Sequence, residues 1–294
     1  MQTVQSVFAR YEELRTRLPE NTTRPGTASI ASLLDIRDQA DAFVFDAFGV
    51  LNVGTKPIPG AAKRLDQLRA TGCAIRILSN AASNGKAQTV EKFRTLGMPV
   101  EPDEIITSRD AALQELDNRL WGVIAAPDDR LEDIPSPALR LGQDAAAYSQ
   151  AEGFLFLSSA EWDTGKQAML SASLEQVPRP VVIANADLVA PRSGGLSLEP
   201  GFFGHQLADQ GVQDVRFFGK PYSEVYRLAA QSLPDIAPER ILMCGDTLHT
   251  DILGASAQGW KTVLVTRDGV LAGQDPQKFI ATSGIYPDYR LERI

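Results

Sequence analysis

The chain of 294 residues carries 44% hydrophobic and 22% charged side chains, a balance that supports a packed core and excludes a disordered chain. Its formal net charge of -8 and pI near 4.9 argue against nucleic acid and anionic membrane surfaces as partners, and no run of Lys and Arg offsets that charge. Two cysteines make neither a disulfide framework nor a paired-cysteine metal motif, and the absence of a signal-like or membrane-length apolar stretch leads us to expect a cytoplasmic protein.

Residues 4–17 set Val4, Val7, Phe8, Tyr11 and Leu14 at helical spacing, which predicts an amphipathic helix ahead of the main fold. Residues 42–45 read as a buried parallel strand ending in Asp46 and a turn at Gly49. Helix signals at 61–70 and 83–96 alternate with strand signals at 73–78 and 104–107. Such alternation predicts an α/β fold, a doubly wound, Rossmann-like parallel sheet whose ligand sites lie at the C-terminal strand ends. Asp46 and Ser79 fall there.

From Trp121 the pattern changes, with short apolar runs at 123–126, 154–158 and 181–184, a helix near 164–174 and a Gly-rich segment over 193–204. We expect an inserted α/β cap. The core pattern returns at residues 215–218 and continues through 241–244 and 261–265. The expected division is a core of residues 1–119 and 214–294, with a cap of residues 120–213 as a lid candidate.

Four strand ends carry candidate chemistry. Asp46, in DAFGVL, is either a loop cap or a nucleophilic or metal-binding carboxylate. The nearby run Gly49 to Lys56 only half-matches a phosphate-binding P-loop, with Thr and Lys in the wrong order. Ser79 and Asn80, in ILSN, offer a hydroxyl and turn N–H groups for phosphate, or merely cap the next helix. Lys220, in FFGKP, is either a solvated loop lysine or a cation able to neutralise both a carboxylate and a phosphate. In GDTLHTDILGA, Asp246 and Asp251 share one strand-to-helix loop. Such a pair can bind a divalent cation, the first directly and the second through water or by orienting other ligands. Of the two histidines, His249 lies inside that loop, where exposure to solvent is expected.

These four segments, in this order and spacing, resemble the four motifs of the haloacid dehalogenase (HAD) superfamily. The insertion between the second and third resembles class IIA, the NagD-like phosphatases, as do GVLNVG with PIPGA, Asn185-Ala186-Asp187 and GKPYSEVY. The resemblance implies a HAD core with an inserted cap, and a Mg2+-dependent phosphatase acting on a small phosphorylated metabolite. By position it makes Asp46 the nucleophile, with Mg2+ held by Asp46, the Phe48 carbonyl, Asp246 and Asp251. Ser79 and Lys220 would act on the phosphate, and Asn80, Asn185 and Asp187 would contact phosphate or substrate, although Asn185 and Asp187 read more readily as shaping a turn after a strand. Arg192 is a further candidate for an anionic substrate group. The sequence permits a homodimer.

One position departs from the resemblance. Phosphatases of the family carry an Asp two residues after the nucleophile to protonate the leaving group, and Phe48 stands there. Loss of a general acid costs about 10²–10⁴ in rate for a poor leaving group. Three readings follow: a phosphatase with another proton source or an undemanding leaving group, a 2-haloacid-type dehalogenase, or a catalytically impaired phosphometabolite-binding regulator.

Overall fold

The computed structural model describes residues 2–192 and 195–294; the first two residues of the Gly-rich segment lie outside them. No described helix is long and apolar enough to cross a membrane. A seven-stranded sheet runs in the order Ala28–Ser29, Tyr289–Leu291, Lys261–Val265, Ile241–Gly245, Ala42–Phe45, Ala74–Ser79, Ile105–Thr107, with every pairing parallel.

Ala42–Phe45 is buried on both faces, which explains its unbroken apolar run. Phe43 and Phe45 pack with Ile75, Ile77, Leu242 and Val263 on one face, while Val44 packs with Leu78 and Met243 on the other. From this central strand the chain first builds outward through Ala74–Ser79, then much later resumes on the other side with Ile241–Gly245. The reversal opens a crevice beyond the carboxyl ends of these two strands. Phe45 pairs with Cys244, and the Asp46 N–H donates to the Cys244 carbonyl at 2.9 Å. Register therefore delivers Asp46 and Asp246 to the same crevice.

The insertion forms a second parallel sheet of five strands, ordered Val215–Phe217, Val181–Ile183, Gly153–Phe156, Trp121–Ile124, Ala138–Arg140. An antiparallel hairpin, Val189–Arg192 with Gly195–Leu198, projects from it. Here one sequence expectation fails: Val215–Phe217 does not return to the first sheet but pairs with Val181–Ile183. The helix Pro200–Asp209 makes the crossover between these neighbouring parallel strands, and a three-residue apolar strand carries no mark of which sheet it will join. The return to the core therefore falls after Phe217, later than residue 214, and Lys220 follows within three residues.

The two sheets do not pack separately. Trp121, Leu155 and Val182 of the second share one apolar cluster with Val44 and Leu78 of the first and with Tyr226 of the helix Ser223–Gln231. Beside it, buried Arg109 joins Asp129 at 2.5 Å and Asp133 at 2.5 Å, tying the helix Ser108–Leu113 to the inserted segment. The N-terminal helix, Val4–Glu13, is shorter than the 4–17 pattern and ends in a tight turn over Arg15–Arg17.

Candidate active site

Asp46, Asp246 and Asp251 each bring a carboxylate oxygen to within 4.8 Å of the others, and all three are buried. Lys220 Nζ lies 2.6 Å from Asp46 Oδ1 and 2.8 Å from Asp251 Oδ1. The sequence-predicted strand-end residues thus meet in one place, with a difference in detail. Asp251 pairs with Lys220 as well as standing near Asp246, so it holds the ammonium against Asp46.

Local backbone explains each position. Asp251 sits in a π-helical turn, Leu248–Ile252, closed by Ile252 N–H donating to the Thr247 carbonyl at 3.3 Å. Its Oδ2 accepts from Thr247 N–H at 3.0 Å. Asp246 Oδ2 accepts from Val270 N–H at 2.7 Å, and its Oδ1 from the Thr247 hydroxyl at 2.9 Å. A Cβ on Gly49 would stand 2.4 Å, and one on Gly269 2.0 Å, from Asp246 Oδ2. Two loops thus approach the Asp246 carboxylate too closely for any side chain. Gly269, Val270 and Thr247 carry no chemical signal of their own in the sequence, although the DG turn after residues 261–265 marks a strand-end loop of the same kind.

The electrostatics leave negative charge in excess. Burial, helped by Asp251 and opposed by Lys220, raises Asp46 to about 6. Burial and then the charges of Asp46 and Asp251 push Asp246 well above the ordinary carboxylate range. Burial alone would lower Lys220, but Asp251, Asp46 and Asp187 outweigh it and raise the ammonium above its usual value. A hard divalent cation among these oxygens would remove the excess, and an all-carboxylate donor set suits one.

Ser79 is buried, and its Oγ accepts from Ala81 N–H at 3.2 Å, leaving the hydroxyl proton to donate. The Asn80 side chain is committed to the protein. Its Nδ2 donates to Asp187 Oδ1 at 2.8 Å and to the Lys220 carbonyl at 2.9 Å, while its Oδ1 accepts from Lys220 N–H at 2.6 Å. Asn80 thus aligns the lysine loop. Gly219, at φ +103°, passes so near that a Cβ would meet Asn80 Oδ1 at 2.6 Å.

Asn185 shapes a turn, its Oδ1 accepting from Asp187 N–H at 2.9 Å and its Nδ2 donating to Glu199 at 3.2 Å. Asp187 itself reaches the core site, where burial raises it to about 8. Arg192 pairs with Glu199 at 3.0 Å.

The expectation of an exposed His249 is wrong. It is 2% exposed, stacked on Tyr11 with 4.9 Å between centroids, met edge-on by Phe8, and bonded to Glu12 at 2.5 Å. The N-terminal helix covers it, which helical spacing alone did not disclose. The same helix closes the crevice: Val7 and Tyr11 line it with Asp46, Phe48, Ser79, Asn80, Asp187 and Asp246, around a space of about 30 Å³. A larger cavity of about 670 Å³ lies elsewhere, between Leu174 and Val212, and none of these carboxylates lines it.

Residues 43–130 match a family described as haloacid dehalogenase-like hydrolase, and residues 217–289 one described as HAD-hydrolase-like. Glycerol-3-phosphate phosphatase of Mus musculus is 30% identical over 275 residues, covering 81% of this chain and 82% of its own. A possible sugar phosphatase from Cytophaga hutchinsonii superposes with a TM-score of 0.79 at 24% identity, covering 90% of this chain and 98% of that one. Glycerol phosphate phosphatase from Mycobacterium tuberculosis, solved with magnesium, gives 0.69 at 20% identity, covering 88% and 76%. The fold of this chain is thus that of these solved structures. This chain belongs to the HAD superfamily of hydrolases, in its NagD-like class IIA branch.

Proposed function

We propose that this chain is a Mg2+-dependent phosphatase that hydrolyses a small phosphorylated metabolite through an aspartyl-phosphate on Asp46. The observation that carries this reading is the line Asp46, Lys220, Asp251 beside Asp246: a carboxylate held against an ammonium at 2.6 Å with two further carboxylates in reach. Asp46, Asp246, Asp251 and the Phe48 carbonyl would hold Mg2+, which when bound neutralises charge on the transferring phosphoryl group.

In this reading Asp46 attacks phosphorus and the bond from phosphorus to the leaving oxygen breaks. Asp46 Oδ1 already takes Lys220 and the Ala47 N–H at 2.7 Å, so Oδ2 carries the attack. Lys220 balances charge on both Asp46 and the phosphate, and the Ser79 hydroxyl donates to a phosphate oxygen. Water then attacks phosphorus, breaks the bond to Asp46 and restores the carboxylate. Positioning and electrostatics supply most of the rate in such a transfer.

Phe48 cannot protonate the leaving oxygen, so an acyl or aryl phosphate, whose leaving group needs no proton, suits the site better than an alkyl ester. Asp187, raised to about 8 by burial and lining the crevice, is the candidate substitute acid. The net negative charge of the cluster disfavours a metal-free dehalogenase. The test is phosphate release from a substrate panel with and without Mg2+, for the natural chain and Asp46→Asn, together with trapping of a beryllofluoride adduct. We expect Mg2+-dependent turnover lost by at least about 10³ in Asp46→Asn. Metal-free halide release from a 2-haloacid, or turnover surviving in Asp46→Asn, would overturn the proposal. Binding of phosphates without turnover would favour a regulator instead.

A further inference from the structure

A pair of cations gathers at Phe48 that the phosphoryl chemistry leaves unused. Lys92, on the core helix Lys86–Thr95, holds its Nζ 4.3 Å from the Phe48 ring centroid. Arg192, at the end of the hairpin strand Val189–Arg192, holds its Cζ 5.4 Å from the same centroid. One comes from the core and the other from the insertion, and they meet beside the residue that lies two positions from Asp46.

Their settings differ. Arg192 is anchored, with Nε donating to Ser197 Oγ at 3.0 Å and Nη2 to Glu199 at 3.0 Å. Glu199 is in turn held by Ser197 at 2.7 Å and Asn185 at 3.2 Å. Lys92 is half-buried and, among the described residues, has no ion-pair partner; burial and the repulsion of Arg192 lower its ammonium to about 8, against a weaker pull from Asp46. Drawing one partly desolvated cation towards another costs free energy. Contact with an aromatic face returns part of that cost, and an anion between them would return far more.

The place is significant because Phe48 and Asp46 line the same crevice. A phosphate seated against Asp46 and Lys220 sends its leaving portion out along neighbouring walls, of which Phe48 is one. The ring offers no hydrogen bond, so polar discrimination on that side has to come from the cations beside it.

We propose that Lys92 and Arg192 form a subsite for an anionic substituent, carboxylate or second phosphate, on the leaving portion of the substrate. The preferred substrates are then phosphorylated acids or bisphosphates rather than neutral alkyl phosphates. This rests on reading the Asp46 crevice as the phosphate site, and it adds Lys92 and Arg192 as the residues that choose among phosphates.

The test is calorimetric binding of phosphonates that cannot be hydrolysed, at fixed free Mg2+. Phosphonoacetate and 3-phosphonopropionate carry the carboxylate, 1,3-propylenebisphosphonate the second phosphate group, and methylphosphonate and propylphosphonate neither. In the natural chain at least one anion-bearing ligand binds about tenfold or more tighter than its neutral counterpart, as a charge-assisted contact provides. The advantage falls to about threefold or less in Lys92→Met, which keeps the stem against Phe48, and in Arg192→Gln, and Lys92→Arg restores most of it. Which ligand shows the advantage identifies the anion. No preference in the natural chain, no binding of any phosphonate, or a preference unchanged in both variants overturns the subsite. Turnover of p-nitrophenyl phosphate is followed in parallel. Its failure alongside an intact binding preference would refute the phosphatase reading and leave the subsite standing, whereas turnover without the preference would do the reverse.

Discussion

At Phe48 a single side chain separates this site from the acid-assisted pattern that the sequence resemblance implies. An Asp there would stand beside Lys92 and Arg192 and within the Asp46 crevice. Phe48→Asp should raise the ratio of alkyl to aryl phosphate turnover by about 10², measured as kcat/KM on an ester pair of matched size; an unchanged ratio would remove the missing-acid argument. Lys220 is the ammonium that faces Asp46 and Asp251. Lys220→Met should destabilise the metal-free fold by about 3–5 kcal/mol at pH 8, read by denaturant unfolding. The cost should shrink at pH 5, because Asp46, raised to about 6, is then protonated and needs no counter-charge. Gly269 tests the Asp246 seat. A methyl there would stand 2.0 Å from Oδ2, so Gly269→Ala should weaken Mg2+ binding by about 10–100-fold in a calorimetric titration. Unaltered affinity would mean that Asp246 is not a ligand.

At the scale of elements, the N-terminal helix acts as a strap. Arg10 and Arg17 pair with Asp209 of the insertion, the latter at 2.8 Å, while Phe8 and Tyr11 enclose His249 of the acidic loop. The Tyr11 hydroxyl accepts from Leu188 N–H at 3.2 Å, just after Asp187. Tyr11→Ala should cost roughly 3 kcal/mol, as for a large buried aromatic, and should lower protection of the Leu188 amide in hydrogen exchange by more than that of the central strands. Uniform loss across the molecule would show that the helix contributes stability without fastening the Asp187 turn. The strap was only half legible beforehand. The spacing of Val7, Tyr11 and Leu14 announces a helix with one apolar face, but what that face covers depends on residues some 180 to 240 positions away in the chain.

For the whole molecule, the buried carboxylates link stability, pH and metal. Asp46 at about 6 and Asp187 at about 8 both lie above the ordinary carboxylate value. In the metal-free protein they favour folding most below about pH 4, and that contribution is lost as pH rises through 6 and 8. A cation bound by the charged cluster opposes the loss. The rise in Tm produced by Mg2+ should therefore grow from pH 5 to pH 8, as followed by calorimetry, and a rise independent of pH would contradict a carboxylate site.

What the sequence determined by itself is local. A strand buried on both faces must be an unbroken apolar run, so stretches such as 42–45 and 241–245 end visibly at their first charged residue, and Asp46 and Asp246 stand out for that reason. Lys220 and Asp251 were legible as chemistry but not as partners, since the 2.8 Å contact between them joins loops that follow strands of different sheets. The allegiance of Val215–Phe217, the burial of His249 and the gathering of Lys92 and Arg192 at Phe48 belong to tertiary structure alone. Each depends on which surfaces meet, and that is decided by the packing free energy of the whole chain rather than by the composition of any segment.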